Sequence, residues 1–478
     1  METNETILNR ILKKLTENIN VNMIDSEING INMKLVFHRY LADLKRFNKD
    51  LTGKISLDNY KKLETIYPGV YYKTNLLEKD LYDSIFSGNI FLAINDVYYL
   101  ITCQTDMKRS ISDSIIEPNN ILGARDGFIE SIETNISLIQ KRIRSTGLTI
   151  EKFNIGERSN TTVNVLYIKD IADKRNVDKV LEKLTSVITD SFQSINEITY
   201  LFEKNSLFPM CSEIGSPDLA AQELIEGRIL IMIDQLPVAV TLPVTITYFF
   251  SLKEGRHSKP PITLYSRIII AFCLFFGVYF LGIYAAIITH HTNTLSLIII
   301  SEIKSSLQGS TLPLFLEFFF LTFLFDILRL SSAKSPNISL QNVIITVGGL
   351  LIGQNAVNSG FISSFNLVII AIAQICTYAI TNNQRFITSL SVLRMFLLLT
   401  GMILGLYGLL ISLIVVTCYL SRKLSITTPY FEPVSPFIKE DFLKLFFGNK
   451  IKKRKKRDYS LETNDNTRGI VKKWKKCL

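Results

Sequence analysis

The sequence predicts an α/β soluble N-terminal half of two subdomains, each with a β-hairpin, followed by an α-helical multi-span membrane domain. Three observations predict it. Before about residue 260 the chain mixes charge with short apolar runs at strand or helix spacing. Beyond it come Ile268–Thr289, 22 residues without a charge, and Ser335–Gln384, fifty residues without Asp, Glu, Lys, Arg or His. A bilayer's hydrocarbon core requires about 20 apolar residues per helical crossing. A basic segment closes the chain: Lys439–Lys476 holds 14 Lys or Arg against 5 Asp or Glu, nearly all of the formal net charge of +10. The predicted domains are 1–145, a first cytoplasmic subdomain; 146–263, a second α/β subdomain; 264–422, a transmembrane domain of four to five segments; and 423–478, a basic cytoplasmic tail.

In the soluble half, residues 1–50 place apolar side chains at helical spacing (Ile7, Ile11, Leu12, Leu15; then Phe37, Leu41, Leu44) around a polar loop, Asn22–Asn32. Leu76–Phe86 reads as a helix stopped by Ser87-Gly88, followed by two strands across the Asn95-Asp96 turn. Phe128–Arg144 is an amphipathic helix with Ile129, Ile132, Ile136, Ile139 and Ile143 along one face. Thr149–Asn154 and Thr161–Lys169 form a second strand pair, and Asp178–Thr189 and Ile195–Phe202 read as helices. Glu226-Gly227-Arg228 through Thr241 then repeats the shape of Ser87-Gly88-Asn89 through Thr102, 139 residues on: a stopping Gly, a five-residue apolar strand, a polar turn and a returning strand. Ile229–Phe250 is apolar enough to imitate a span, but Asp234, Pro237 and Pro243 favour a hairpin.

In the second half Ile268–Thr289 is the first crossing, entered from Lys259 and Arg267, cations that mark a cytoplasmic flank. Leu312–Leu330 carries Glu317, Asp326 and Arg329 and is read as re-entrant, interfacial or cavity-lining. Met395–Leu420 is read as one 26-residue crossing with Gly401, Gly405 and Gly408 along it. Within Ser335–Gln384, the stretch Val343–Phe361 combines small residues (Gly349, Gly353, Ala356) with the amides Gln354, Asn355 and Asn358. Small residues let helices approach closely in lipid, and uncharged polar groups there seek a partner or water. Two readings stay open for Val347, Gly349, Leu351, Gly353, Gln354, Asn355 and Asn358: a helix-packing seam, or the lining of a water or ion path. Glu317, Asp326 and Arg329 are intramembrane charges, costly in lipid and normally turned inward; Asp326 and Arg329, three residues apart, can pair.

No Gly-rich phosphate loop, nucleophile elbow, His-Glu-x-x-His or Cys-ligand cluster occurs, so no catalytic residue, cofactor or metal is expected. Six scattered cysteines suit reduced thiols. Glu213, Asp218, Glu223 and Glu226 read as a solvated helix face, and Arg125, Asp126 and Glu130 as a capping and salt-bridge cluster. His290-His291 reads as interfacial hydrogen-bonding groups. With the excess charge confined to the tail, no nucleic-acid partner is expected; the tail reads as a solvated, disordered end drawn to anionic membrane lipid. The polar, acidic start (Met1-Glu-Thr-Asn-Glu) reads as no signal peptide.

Several blocks in order resemble the A subunit of GerA-type spore germinant receptors. They are Gly123-Ala-Arg-Asp-Gly-Phe-Ile-Glu-Ser-Ile-Glu-Thr-Asn-Ile-Ser-Leu-Ile-Gln-Lys-Arg-Ile143, Ile155-Gly-Glu-Arg-Ser159, Phe208-Pro209, Glu226-Gly-Arg-Ile229, Val347-Gly-Gly-Leu-Leu-Ile-Gly-Gln-Asn-Ala-Val357 and Pro429-Tyr-Phe-Glu-Pro433. Departures include Asp234-Gln235 where the family has Asp-Gly, and Asp326-Ile-Leu-Arg-Leu-Ser331, which keeps Arg329 and loses an acid. The resemblance implies a multi-pass protein of the spore inner membrane, with its N-terminal domain and tail cytoplasmic. It implies a transporter-like B subunit and a lipoprotein C subunit as partners, and a homo-oligomer that forms or gates an ion path opened by germinant. It favours the pore-lining reading of Val343–Phe361. The A-like paralogue encoded with the spore dipicolinate channel genes is similar. The alternative function is a secondary transporter, or an accessory ion-release channel subunit without direct nutrient sensing.

Overall fold

The computed structural model describes residues 21–28, 31–39, 41–51, 63, 70–72, 81, 84–94, 97–103, 126–203, 206–250, 260–308, 311–334, 353–439, 441–442, 457 and 461–465. The chain divides into two compact units, one of residues 1–202, 211–243 and 455–478, the other of 203–210 and 244–454.

The first unit holds two five-stranded antiparallel sheets. In the first, β1 (Val21–Ile28) and β2 (Ile31–His38) form a hairpin, followed by α1 (Leu44–Leu51), β3 (Val70–Tyr72), β4 (Asn89–Ile94) and β5 (Val97–Thr102), with strand order β1-β2-β4-β5-β3. The polar loop expected at Asn22–Asn32 is therefore strand at every described residue, Asn22–Ile28 in β1 and Ile31-Asn32 in β2, and Phe37 lies in a strand rather than a helix. The physical reason lies in β2, where Met33, Leu35 and Phe37 point into one apolar cluster and Val36 into another. That period of two belongs to a strand covered on both faces, while the polar residues of its partner β1 hide the pattern. Gly88 stands at φ 90°, a conformation that suits glycine, where the chain turns into β4. The helix expected at Leu76–Phe86 falls mostly outside the described residues; Leu81, Ser84 and Ile85 are helical.

The second sheet follows α2 (Ile132–Arg142), whose N-cap Ser131 accepts from the Thr134 N–H. It contains β6 (Leu148–Ile155), β7 (Thr161–Ile168), β8 (Ser212–Ile214), β9 (Ile229–Ile233) and β10 (Ala239–Leu242), in the order β6-β7-β9-β10-β8. Its helices are α3 (Lys174–Thr185), α4 (Ile195–Phe202) and α5 (Pro217–Glu226). Counted within each sheet, the two orders are the same, so the echo between the two hairpins extends to a whole module. Gly227, at φ 104°, occupies the place of Gly88. Ile132, Ile136, Ile139 and Ile143 of α2 pack with Leu166, Leu224, Leu230 and Met232, as their spacing predicts. Asp126 takes both oxygens to Arg142 at 2.6–2.7 Å. The expected solvated acidic face is corrected: Glu223 and Glu226 are buried, and Glu223 pairs with Arg228. Helix α5 lies over the sheet, and the hairpin brings Arg228 back to it.

The tail also differs from expectation. Arg457 is buried, donating from Nε to the Ile225 carbonyl at 2.9 Å and pairing with Asp465 at 3.2 Å. Asn464 donates its N–H to the Ile171 carbonyl at 3.0 Å and its amide to that of Ala172 at 2.7 Å. Leu461 and Thr463 are buried, Thr463 against Gly227, and Glu462 pairs with Arg175. These residues clasp the α/β unit; the basic charge that suggested full solvation lies largely on either side of them.

The second unit is helical: α6 (Ile246–Phe250); α7 (Pro260–Leu274), passing through a π-helical turn (Phe275–Phe280) into α8 (Leu281–His290); α9 (Leu297–Gln308); α10 (Leu314–Ala333); α11 (Gly353–Asn358); α12 (Ser364–Ile380); and α13 (Gln384–Ser421). A two-stranded ribbon, β11 (Leu424–Ser425) and β12 (Thr428–Pro429), follows. Helix α10 is continuous over 20 residues, so the re-entrant reading of Leu312–Leu330 is not what the chain adopts. Helix α13 is not one straight helix. Gly405, at φ 65° and ψ −150°, breaks it. Gly408 lies against the Thr400 carbonyl, and Ser389 and Tyr419 both hydrogen-bond the backbone of Leu207, at 2.6 and 2.9 Å. Along a straight helix those two residues would stand about 45 Å apart, so the chain reverses at Gly405 and α13 is a helical hairpin.

His38 supplies a test of the α/β unit. It is fully buried beside Phe86, and burial lowers its pKa to about 4. The unfolded chain binds this proton below about pH 6.5 while the fold does not. Stability contributed at neutral pH is thus lost as pH falls from about 6.5 to about 4, by about 3 kcal/mol in all. Amide-exchange protection of β2 and β4 should fall over that window, and His38→Gln should remove the part due to His38.

Candidate functional site

The helical unit turns charge inward. Helix α10 presents Glu317, Thr322, Asp326 and Arg329 towards its neighbours; Glu317 and Thr322 are fully buried and Arg329 nearly so. From α13, Arg394 is buried to 1% exposure and reaches Asp326 at 3.4 Å, while Ser391 donates to the same carboxylate oxygen at 3.1 Å. Arg329 stands 3.8 Å from Asp326 and donates to Thr388 Oγ1 at 3.1 Å. The i,i+3 pairing read from the sequence is present but long; the closer cation is Arg394. Arg394 also donates to Thr377 Oγ1 of α12 at 3.0 Å. Thr377 Oγ1, whose nearer acceptor is the Ala373 carbonyl of its own helix at 2.8 Å, also lies 3.2 Å from the Gly277 carbonyl of the π turn. π-turns free carbonyls from the regular ladder, and this one is used by a neighbouring helix. One carboxylate thus connects α7–α8, α10, α12 and α13.

Glu317 belongs to a different cluster. It lies nine residues before Asp326, about 13 Å along the helix, and accepts the Ser363 N–H at 2.6 Å. Nearby, Tyr284 donates to Asn366 at 2.7 Å and Ser306 bonds Ser363 at 2.7 Å. Between the clusters, Gln374 of α12 reaches the Thr322 carbonyl at 3.5 Å. Helices α10 and α12 therefore run parallel with three facing polar levels.

Of the other predicted site residues, Val347, Gly349 and Leu351 lie outside the described residues. Gly353 is buried at the start of α11, and Gln354, Asn355 and Asn358 are exposed. The turn after α11 closes with Phe361 and Ile362 N–H groups on the Ala356 carbonyl and Gly360 at φ 64°. The structure brings Asp326 and Arg329 together and leaves the α11 amides apart from them. His290 donates from Nε2 to the Met402 carbonyl, 2.8 Å away, a hydrogen-bonding role expected of it. At the opposite end of α13, Arg385 pairs with Glu203 at 3.2 Å. No group of three or more His, Cys, Asp or Glu suited to a metal occurs among the described residues. Sequence reasoning passed over Arg394, whose signal was its place one residue before a long apolar run, and Thr377 and Asn366, which carried none.

Apolar side chains face the other way. Ile268, Phe272, Phe323, Ile403, Leu410 and Ile414 are all more than half exposed. Leu264–His290 and Gln384–Ser421 are long and apolar enough to cross a membrane. The class so defined joins an α/β unit of two like modules to a helical unit with an apolar exterior and a charged interior. The chain belongs to the GerA spore germination family: the family model, described as Bacillus/Clostridium GerA spore germination protein, matches residues 6–460. It is 31% identical over 388 residues to spore germination protein XA of Bacillus anthracis, covering 80% of this chain and 78% of that one. It is 27% identical over 432 residues to spore germination protein KA of Bacillus subtilis, covering 89% and 78%. The uncharacterized membrane protein YfkQ of Bacillus subtilis is 27% identical over 367 residues, covering 76% and 71%. A crystal structure of the N-terminal domain of the A subunit of the Bacillus megaterium spore germinant receptor GerK3 aligns with 21% identity and a TM-score of 0.37, over 49% of this chain and 92% of that one.

Gly277 tests the link between helices. A Cβ there would lie 2.7 Å from Thr377 Oγ1 and 3.0 Å from its backbone nitrogen. Gly277→Ala should force the π turn from α12 and cost about 1–3 kcal/mol, seen as a lower melting temperature in detergent. An unchanged melting temperature would mean that the two helices do not approach there.

Proposed function

We propose that the protein is the A subunit of a spore germinant receptor, embedded in the inner membrane by its helical unit and oligomerising to form or gate an ion path. The observation that carries this reading is the inversion of the helical unit, whose apolar side chains are exposed while Glu317, Arg329 and Arg394 are buried. In water that arrangement exposes far more apolar surface than a soluble monomer tolerates; in lipid it is the expected one. The family supports the role in germination, and a transporter-like B subunit and a lipoprotein C subunit are the proposed partners.

The topology proposed has both the α/β unit and the tail in the cytoplasm. The packing of residues 457 and 461–465 within the α/β unit supports an even number of crossings for residues 244–454, with both connections on one side of the bilayer. Helix α7–α8, α10, α12 and the two arms of α13 supply five. Val343–Phe361, apolar and free of charge, is proposed as the sixth. This count replaces the four or five read from the sequence and agrees with the placement of cations. A cysteine at Ser460 should resist an impermeant thiol label applied from outside intact membranes; labelling there would overturn the orientation.

In the same proposal Val347 and Leu351 form an apolar constriction, with Gly349 and Gly353 setting close approach and Gln354, Asn355 and Asn358 meeting water. The exposure of these three amides in the single chain favours it. A hydrophobic constriction gates by dewetting. Val347→Ala or Leu351→Ala should then raise potassium release from dormant spores and allow germination without nutrient, at normal protein level. A packing seam gives the opposite outcome: a cavity costing about 2–5 kcal/mol for Leu→Ala, with little protein and no leak.

A further inference from the structure

The segment that clasps the α/β unit has the build of a ligand. It is closed on itself: Arg457 Nη1 donates to the Asp465 carbonyl at 2.5 Å and pairs with its carboxylate at 3.2 Å, joining the two ends of residues 457–465. Thr463 Oγ1 donates to the same carbonyl at 3.3 Å. The closed segment then presents a short row of specific groups. Leu461 and Thr463 are buried. Asn464 donates from backbone and side chain to the Ile171 and Ala172 carbonyls, at 3.0 and 2.7 Å, and Arg457 Nε donates to the Ile225 carbonyl at 2.9 Å. Outside them Glu462 pairs with Arg175.

The surface that receives these groups is organised by its own contacts. Ile171 and Ala172 are held in a turn where both N–H groups donate to the Ile168 carbonyl. Asp173 caps α3 by accepting the Arg175 N–H at 3.0 Å, and Gly227 closes α5 at φ 104°. Among the described residues, the apolar cluster beneath is drawn from residues 128–239 alone. Ile225 lies in the last turn of α5, where carbonyls lack a helical partner, and a cation there meets the negative end of the helix. At Gly227 a side chain would collide with the Thr463 methyl group, so the surface is complementary to the segment in shape as well as in hydrogen bonding.

We propose that this surface is a peptide-recognition site and that its ligand is residues 457–465 of this chain, a motif of Arg followed by Leu, Thr and Asn four, six and seven residues on. The tail is then a latch laid on the sheet module, not a part of it. Residues 244–454 leave the α/β unit at one end, and the motif returns the chain to it at the other. Occupancy of the site decides whether both ends are tied. The site lies within the α/β unit and does not depend on the pore reading.

The test is binding in trans. In the full chain in detergent, Leu461→Asp with Asn464→Ala unseats the native tail, and a fluorescent peptide of residues 457–465 is titrated against it by anisotropy. The peptide should bind saturably, at least tenfold more tightly than it binds the wild-type chain, whose site is occupied. Peptide carrying Asn464→Ala should bind roughly tenfold more weakly, having lost two hydrogen bonds. Arg175→Glu added to the tail variant should weaken the native peptide, and a peptide with Glu462→Arg should recover the affinity, which a merely damaged surface would not allow. Should the tail variant fail to fold, excess peptide is added to the wild-type chain: exchange of the Asn464 amide should then accelerate saturably as the native tail is displaced. No binding to a folded tail variant, equal binding of the native and Asn464→Ala peptides, or amide exchange indifferent to peptide would overturn the site.

Discussion

Asp326 is the group on which the helical unit depends. Its carboxylate meets Arg329 from its own helix and Arg394 and Ser391 from α13, and through Arg394 and Thr377 it reaches the π turn. Under the proposed membrane placement, apolar side chains give little net drive for helices to associate, because lipid and neighbour are equally apolar. Polar contacts and close backbone approach therefore choose which helices meet. The close approaches lie where glycine permits them: Gly277 against Thr377, and Gly282 against Gly401. Removing one partner of such a buried ionic group is far more damaging than never having had the group.

How much of this was legible in the sequence depends on the range of the interaction that decides each element. Helix α2 and the hairpins β4–β5, β6–β7 and β9–β10 were legible, because local spacing of apolar residues and a stopping glycine define them. Strand β1 was not, because a polar strand at the edge of a sheet looks like a loop until its partner is known. The reversal at Gly405 was not, because glycines at small-residue spacing fit a packed straight helix equally well and only the backbone dihedrals distinguish them. In the candidate site, the inward turn of Glu317, Asp326 and Arg329 followed from the cost of charge in lipid. The choice of Arg394 over Arg329 as the closer partner of Asp326 required two residues 68 apart in sequence to be placed side by side. The clasp was hidden for a similar reason: its anchors are five short contacts in a segment whose composition is dominated by lysine.

The two sheets share one strand order although they have few residues in common, which points to a module used twice. In each copy a hairpin opens the sheet, a short strand takes the far edge, and a glycine with positive φ leads into the closing hairpin. In the second copy α5 covers its sheet with Glu223 folded inward onto Arg228.

The clasp has a consequence for biosynthesis. Residues 457 and 461–465 complete the surface formed by Ile171, Ala172, Ile225 and Gly227, yet they are made after every helix of residues 244–454. The α/β unit is therefore finished only once the ribosome has passed the whole helical unit. Until then the surface that receives Leu461 and Thr463 is open, so the finished fold of the α/β unit waits on the last segment of the chain to be made.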